Sequence, residues 1–202
     1  MSELPLFPLR AVLFPDGLLG LKVFEARYLD MVGDCLRSGG RFGVVALAGG
    51  SGEGPPAEPP AWPMERCGVA AELLEVDSPQ PGILQVRARG LERFTIESAQ
   101  TLRDGLWLGD VSWRAADESV ELPPALQSAA QALAVAIDSL DRQGSSPFLA
   151  PYRLDDAGWV ANRWCEILPI SLGAKYRLMA LDDPLARLRL VDEYLRAQHV
   201  ID

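Results

Sequence analysis

The sequence is poor in histidine, cysteine and lysine, three residue types on which much enzyme chemistry depends. His199 is the only histidine, and it lies close to the C-terminus, where chains usually fray. A Ser-His-Asp triad would depend on this one residue, so that mechanism is not expected. No GxxxxGK[ST] loop occurs, which excludes a P-loop for ATP, and the glycine-rich run at residues 49–54 is read as a loop. We therefore expect a protein without a catalytic site.

Cysteine is also scarce. Cys35, Cys67 and Cys165 are far apart, odd in number and without CxxC spacing. This pattern predicts free, buried thiols and neither a disulfide nor a metal centre. We expect no cofactor.

Long hydrophobic runs are absent. No apolar run approaches the roughly 18–20 residues of a membrane span, and the N-terminus lacks a basic region followed by an apolar stretch. The net charge of −9 argues against general binding to nucleic acid, because phosphate contacts need clustered cations. We expect a soluble, cytoplasmic protein that does not bind membranes.

The apolar residues that are present change their spacing along the chain. Residues 1–118 predict six or more strands, with one helix over 25–37, and residues 119–202 predict a helical subdomain. The Gly/Pro-rich stretch 48–63 is typical of a surface loop. The prolines of the first strand, in residues 4–9, predict a position at a sheet edge or barrel rim.

The clearest strand pattern covers residues 83–97. Apolar and polar residues alternate there, and Gly90 interrupts the run, which indicates a β-bulge or a close approach of another backbone segment. Phe94 and Ile96 have the same parity as the earlier apolar positions, so the pattern places on one face Leu84, Val86, Ala88, Phe94 and Ile96.

Several polar residues stand where helices are predicted to begin. The Asp-Asp pairs at 155–156 and 182–183 and the hydroxyl of Ser171 are suitable N-caps. Ser171 and Lys175 also have the spacing of a Ser-Lys dyad. Capping by Ser171, with Lys175 exposed one turn later, is the preferred interpretation.

Four segments together resemble a known family, the Lon N-terminal domain. They are LPLFPLRAVLFPDGLLGLKVFEARYLDM (4–31), FGVV (42–45), VRARGLERFTI (86–96) and LPISLGAKYRLMALDDPLARLRLV (168–191), and they occur in the family's order. The chain looks most like free-standing bacterial members. The resemblance implies an α+β fold, with a PUA-like β-barrel over 1–118 followed by an α-helical bundle.

The Phe-Glu-x-Arg-Tyr motif supplies the first candidate site residues, Phe24, Glu25, Arg27 and Tyr28. They either line a peptide site or have structural roles, with Arg27 paired to a carboxylate, Glu25 in the first helical turn and both aromatic rings packed. Trp62 is the fifth candidate. Its ring either folds back onto the barrel or marks a contact surface.

Arg87, Arg89 and Arg93 form a basic stripe in the pattern of one strand. PUA-like folds in other families bind RNA, so these residues are the candidates for an alternative function as an RNA- or nucleotide-binding protein. A solvated strand face paired with nearby acids is the competing explanation.

The resemblance implies a non-enzymatic module that recognises polypeptide substrates. We expect a groove where the barrel meets the helical unit, accepting apolar peptide segments. The expected partners are unfolded polypeptides or a protease for which the protein acts as an adaptor.

Overall fold

The computed structural model describes residues 2–48 and 62–202. Most of the predicted loop 48–63, and the whole glycine-rich run 49–54, lie outside these residues. The described part of the chain forms six strands and five α-helices: β1 (Ser2–Leu9), β2 (Leu18–Val23), α1 (Ala26–Ser38), β3 (Phe42–Leu47), β4 (Met64–Gln80), β5 (Ile83–Thr101), β6 (Trp107–Trp113), α2 (Gln127–Arg142), α3 (Ala157–Ile167), α4 (Leu172–Ala180) and α5 (Pro184–Ala197). The mixed α+β class predicted from the sequence is confirmed.

The six strands form one sheet in the order β2-β5-β4-β3-β1-β6, and β6 also pairs with β5. β1 lies between β3 and β6, so of the two positions predicted for it the sheet edge is wrong, and the barrel rim stays a prediction. Its residues 2–6 pair antiparallel with β6, and residues 6–9 pair parallel with β3. Each half of β1 therefore has one partner, and a proline without an N–H is tolerated where the other side of the strand is unpaired.

Two apolar clusters fill the interior. The smaller lies on one face of the strands and contains Leu4, Leu6, Val45, Met64, Ala70, Phe94, Ile96 and Val111. The larger joins the opposite face of the sheet to the helices, extending from Val69 and Val86 to Leu133 in α2 and Leu188 in α5. The division of the chain at residue 118 remains a prediction, but one apolar cluster crosses it.

A bulge in β5 alters the face on which its residues lie. Val69 of β4 pairs with Arg93, and Ala71, two residues later, pairs with Gly90, three residues earlier. The extra residue reverses the parity of β5, so the prediction that Phe94 shares a face with the earlier apolar residues is wrong. Val86 lies in the larger cluster and Phe94 in the smaller.

The predicted irregularity at Gly90 is confirmed in both of its forms. The bulge follows Gly90 directly, and residues 14–17 approach it closely. Gly90 N–H donates to Gly17 O at 2.9 Å, and Asp16 N–H donates to Gly90 O at 2.9 Å. A Cβ atom at Gly90 would overlap the carbonyl oxygen of Phe14. Only glycine allows this approach.

The predicted helix starts in the second half of the chain are confirmed by their caps. Asp156 accepts from Trp159 N–H at 2.8 Å, Ser171 from Ala174 N–H at 3.2 Å, and Asp183 from Leu185 N–H at 2.9 Å. Within the described residues, no helix is both long enough and apolar enough to cross a bilayer.

Candidate functional site

The aromatic residues of the Phe-Glu-x-Arg-Tyr motif lie in different environments. Tyr28 is buried and stacks on Phe7, with ring centroids 4.0 Å apart, as the packing interpretation predicts. Phe24, in contrast, is 65% exposed at the start of α1, so it is not a packing residue.

The charged residues of the motif contact each other and the β5–β6 turn. Arg27 donates from Nη2 to Glu25 at 2.5 Å and from Nη1 to the carbonyl oxygen of Gly105 at 2.9 Å. Glu25 occupies the N-cap position of α1, but its side chain makes no capping hydrogen bond. These contacts link α1 to the turn, which is a structural role for Arg27.

Trp62 is half-buried and packs against the smaller apolar cluster. Tyr28 belongs to the larger cluster. Trp62 and the motif therefore contribute to different faces of the sheet. Their roles in peptide binding remain a prediction.

The three arginines of β5 do not form one stripe. Arg87 pairs with Glu75 at 3.1 Å and Arg89 pairs with Glu72, all four side chains being partly exposed. Arg93 is only 3% exposed, because the bulge turns it toward the helices. Arg87 and Arg89 thus match the explanation of a solvated strand face whose arginines are paired with nearby acids.

Arg93 instead belongs to a buried ion network that the sequence analysis missed. Asp117, in the connector between β6 and α2, accepts hydrogen bonds from Arg93 and, at 2.6 Å, from Arg187 of α5. Arg187 also donates to Asn162 of α3 at 2.9 Å. Arg93 donates to the carbonyl oxygen of Leu181 at 2.9 Å. The network joins β5, the connector and three helical segments.

A concavity lined mainly by apolar residues lies between the segment 10–19 and the helical part of the chain. We call it the interface groove; its volume is about 460 Å³. All but three of its lining residues are apolar: Ala11, Val12, Leu13, Leu18, Leu19, Pro147, Phe148, Ile167, Ile170 and Leu172. The three charged ones are Arg10, Glu166 and Lys175. A groove was predicted at this junction, but none of the named candidate residues lines it.

A buried guanidinium fixes the two walls of the interface groove to each other. Arg163 of α3 is completely buried and donates to the carbonyl oxygens of Pro15 at 2.7 Å and Asp16 at 2.5 Å. Its Nη2 atom also lies 2.8 Å from a carboxylate oxygen of Glu166. The segment before β2 is thereby held against α3.

Lys175 differs from its predicted exposed position. It is half-buried, and its Nζ donates to the backbone oxygen of Glu166 at 2.9 Å. Burial lowers the pKa of Lys175. Ser171 is an N-cap, as predicted, and accepts from Ala174 N–H. The structure thus gives each member of this Ser-Lys pair a structural contact.

Glu166 gives the protein an expected pH dependence. Burial raises the pKa of its carboxyl to about 8, against the opposing effects of Arg163 and Lys175. In the unfolded chain the carboxyl ionises near pH 4.5. The folded state therefore holds this proton more tightly than the unfolded chain does. The resulting contribution to the free energy of unfolding is fully present below about pH 4.5 and is lost as pH rises toward about 8.

Glu166→Gln is therefore expected to match the stability of the parent in acid and to be the more stable protein above pH 8. Urea unfolding of both proteins across this pH range measures the difference. A variant that is less stable than the parent at alkaline pH would show that the ion pair with Arg163 outweighs burial.

The three cysteines are free and buried, as predicted. In residues 2–48 and 62–202, no group of three or more His, Cys, Asp or Glu side chains is placed to hold a metal ion.

Known proteins share this fold. A family model described as the ATP-dependent protease La (LON) substrate-binding domain matches residues 3–197. A crystal structure of a Lon N-terminal domain protein from Xanthomonas campestris is 33% identical with a TM-score of 0.75, covering 96% of this chain and 99% of that one. The N-terminal domain of a Mycobacterium avium complex Lon protease has a TM-score of 0.64 at 13% identity, covering 96% and 98%, which shows the fold alone. No curated protein matches the chain.

Proposed function

Because this chain belongs to the family of ATP-dependent protease La (LON) substrate-binding domains, we propose that it binds apolar segments of unfolded polypeptides in the interface groove, without catalysis. The observation that carries the proposal is the lining of this groove, which is apolar at all but three positions. A volume of about 460 Å³ is within the range of ligand sites and accommodates a few side chains at a time.

The physical basis is the transfer of apolar side chains from water into the interface groove. Each buried side chain contributes about 1.5–3 kcal/mol before the cost of ordering the peptide. Apolar contacts do not depend on the order of residues in the bound segment. We therefore expect weak binding that tolerates many sequences.

Replacing groove residues tests the proposal. Val12 and Ile170 are half-buried residues on opposite walls of the interface groove. The double variant Val12→Ser/Ile170→Ser is expected to bind a reduced and alkylated, permanently unfolded protein about tenfold more weakly. Fluorescence anisotropy of the labelled unfolded protein measures the dissociation constant.

Val135→Ser is the matched control, because Val135 is 70% exposed on α2 and does not line the interface groove. It is expected to bind as the parent does. Thermal unfolding establishes that all variants are folded. Equal affinity of the groove variant and the parent would refute the proposal.

A second anisotropy titration tests the alternative function, which is RNA binding. Single-stranded RNA replaces the unfolded protein, and Arg87→Gln/Arg89→Gln is the variant. Both arginines are already paired with carboxylates, so we expect no RNA binding by the parent. Salt-dependent binding that this variant loses would favour the alternative.

An adaptor role follows if a bound polypeptide is passed to a protease. Addition of the protein is then expected to accelerate degradation of the unfolded protein by an ATP-dependent protease from the same cells. The groove variant is expected to lose this acceleration, while Val135→Ser retains it.

A further inference from the structure

Two cations at the interface groove have no carboxylate partner. Across residues 2–48 and 62–202, neither Arg10 nor Lys175 forms an ion pair, although most other arginines of the described chain do. Lys175 makes one hydrogen bond, to the Glu166 backbone, so two of its three N–H donors have no partner among these residues.

The single acid of the interface groove, Glu166, can offset at most one of these two cations. Glu166 is paired with Arg163, which is completely buried and does not line the interface groove. Arg10 and Lys175 therefore leave the groove with excess positive charge. The positive charge of the groove contrasts with the net charge of the whole protein, which is −9.

The environment of Lys175 favours a bound anion. Lys175 is half-buried and shares the lining of the interface groove with Ile167, Ile170 and Leu172, so water screens its charge less than at an open surface. An anion that reaches Lys175 must also contact these apolar side chains. A suitable ligand therefore carries a negative charge directly beside apolar groups.

Starting from the proposed function, we propose that the interface groove binds the C-terminal end of a polypeptide. The terminal carboxylate accepts hydrogen bonds from Lys175 and Arg10, and the last apolar side chains contact Val12, Leu19 and Ile170. The main chain of an internal segment has no charge, whereas a C-terminus places a carboxylate on the same residue as its apolar side chain. Charge-assisted hydrogen bonds of this kind are roughly twice as strong as neutral ones.

The test compares three short fluorescein-labelled peptides with the same apolar sequence ending in Ala-Phe-Leu. The first has a free C-terminal carboxylate, the second a C-terminal amide, and the third an amide with one Glu inserted before Ala-Phe-Leu. The free acid is expected to bind about tenfold more tightly than either amide, measured by anisotropy at low salt.

The two lysines of the chain provide a matched pair of variants. Lys175→Gln is expected to remove the preference for the free acid, and Lys175→Arg to retain most of it. Lys22→Gln makes the same charge change on β2, at a position that does not line the interface groove, and is expected to leave the preference intact.

Equal binding of acid and amide would overturn this inference but leave the proposed function standing, provided that Val12→Ser/Ile170→Ser weakens both. Equal binding of the acid and the Glu-containing amide would also overturn it, because any carboxylate would then suffice. If no peptide binds, the inference is wrong, and the titration with unfolded protein decides the proposed function separately.

Discussion

Replacement of Asp117 by alanine is expected to destabilise the protein by about 3–5 kcal/mol, because it removes the carboxylate shared by two buried cations and leaves only the exposed Asp182, 3.5 Å from Arg93. The side chains of Arg93 and Arg187 are 2% and 1% exposed, and both bind Asp117. Backbone carbonyls of Met179, Leu178 and Leu181 remain as acceptors but carry no full charge. The two like charges would then repel each other in a medium of low dielectric constant.

Urea unfolding followed by circular dichroism measures this effect, with Asp117→Asn as the variant that keeps the shape and removes the charge. Glu75→Gln is the control, since it breaks a pair between half-exposed side chains and is expected to cost less than about 1 kcal/mol. An Asp117→Ala cost as small as that of the control would mean that solvent reaches the buried network.

Gly90→Ala is expected to destabilise the protein by about 3 kcal/mol. The new Cβ would overlap the carbonyl oxygen of Phe14, which belongs to the backbone and cannot move away by rotating a side chain. Separation of the two segments would break both hydrogen bonds between Gly90 and residues 16–17. It would also displace Leu13 at the edge of the interface groove, so we expect weaker peptide binding as well.

Gly20→Ala is the control for this substitution. Gly20 lies in β2, pairs with Arg87 of β5, and has no atom within 4 Å of an added Cβ. Its effect is expected to stay within about 0.5 kcal/mol. Equal thermal midpoints for Gly90→Ala and the parent would show that the contact between these segments relaxes without cost.

The elements of secondary structure were predictable because local signals determine them. The helix predicted over 25–37 is observed as Ala26–Ser38, and three helices begin at the side chains expected to cap them. The resemblance to the Lon N-terminal domain is likewise confirmed. It could be recognised because the motifs that carry it are short, continuous stretches of sequence.

The face on which Arg93 lies could not be predicted, because one extra residue reverses the parity of a strand. Gly90 signalled an irregularity, but alternation alone does not tell a bulge from a close approach. The burial of Arg93 depends on Asp117 and on helices far along the chain. Such long-range pairing leaves no periodic trace in the sequence.

The interface groove was predicted at the right junction but without its residues. The sequence analysis placed its candidates in the most recognisable motif, residues 24–28, which lies at the start of α1. The observed lining comes from residues 10–13, which pair with no strand, from the first two residues of β2, from residues 147–148, and from the end of α3 and the start of α4. Arg163 helps to hold these segments together by binding main-chain carbonyls, an interaction that no side-chain pattern reveals.

The Arg163 guanidinium also limits how far the interface groove can change its width when a ligand binds. Hydrogen bonds to two consecutive main-chain carbonyls set the distance between α3 and the segment before β2 within narrow limits. The width of the interface groove is therefore set in the unliganded protein. Under the proposed function, we expect binding to order mainly the incoming chain, so that the entropy lost by the protein itself is small.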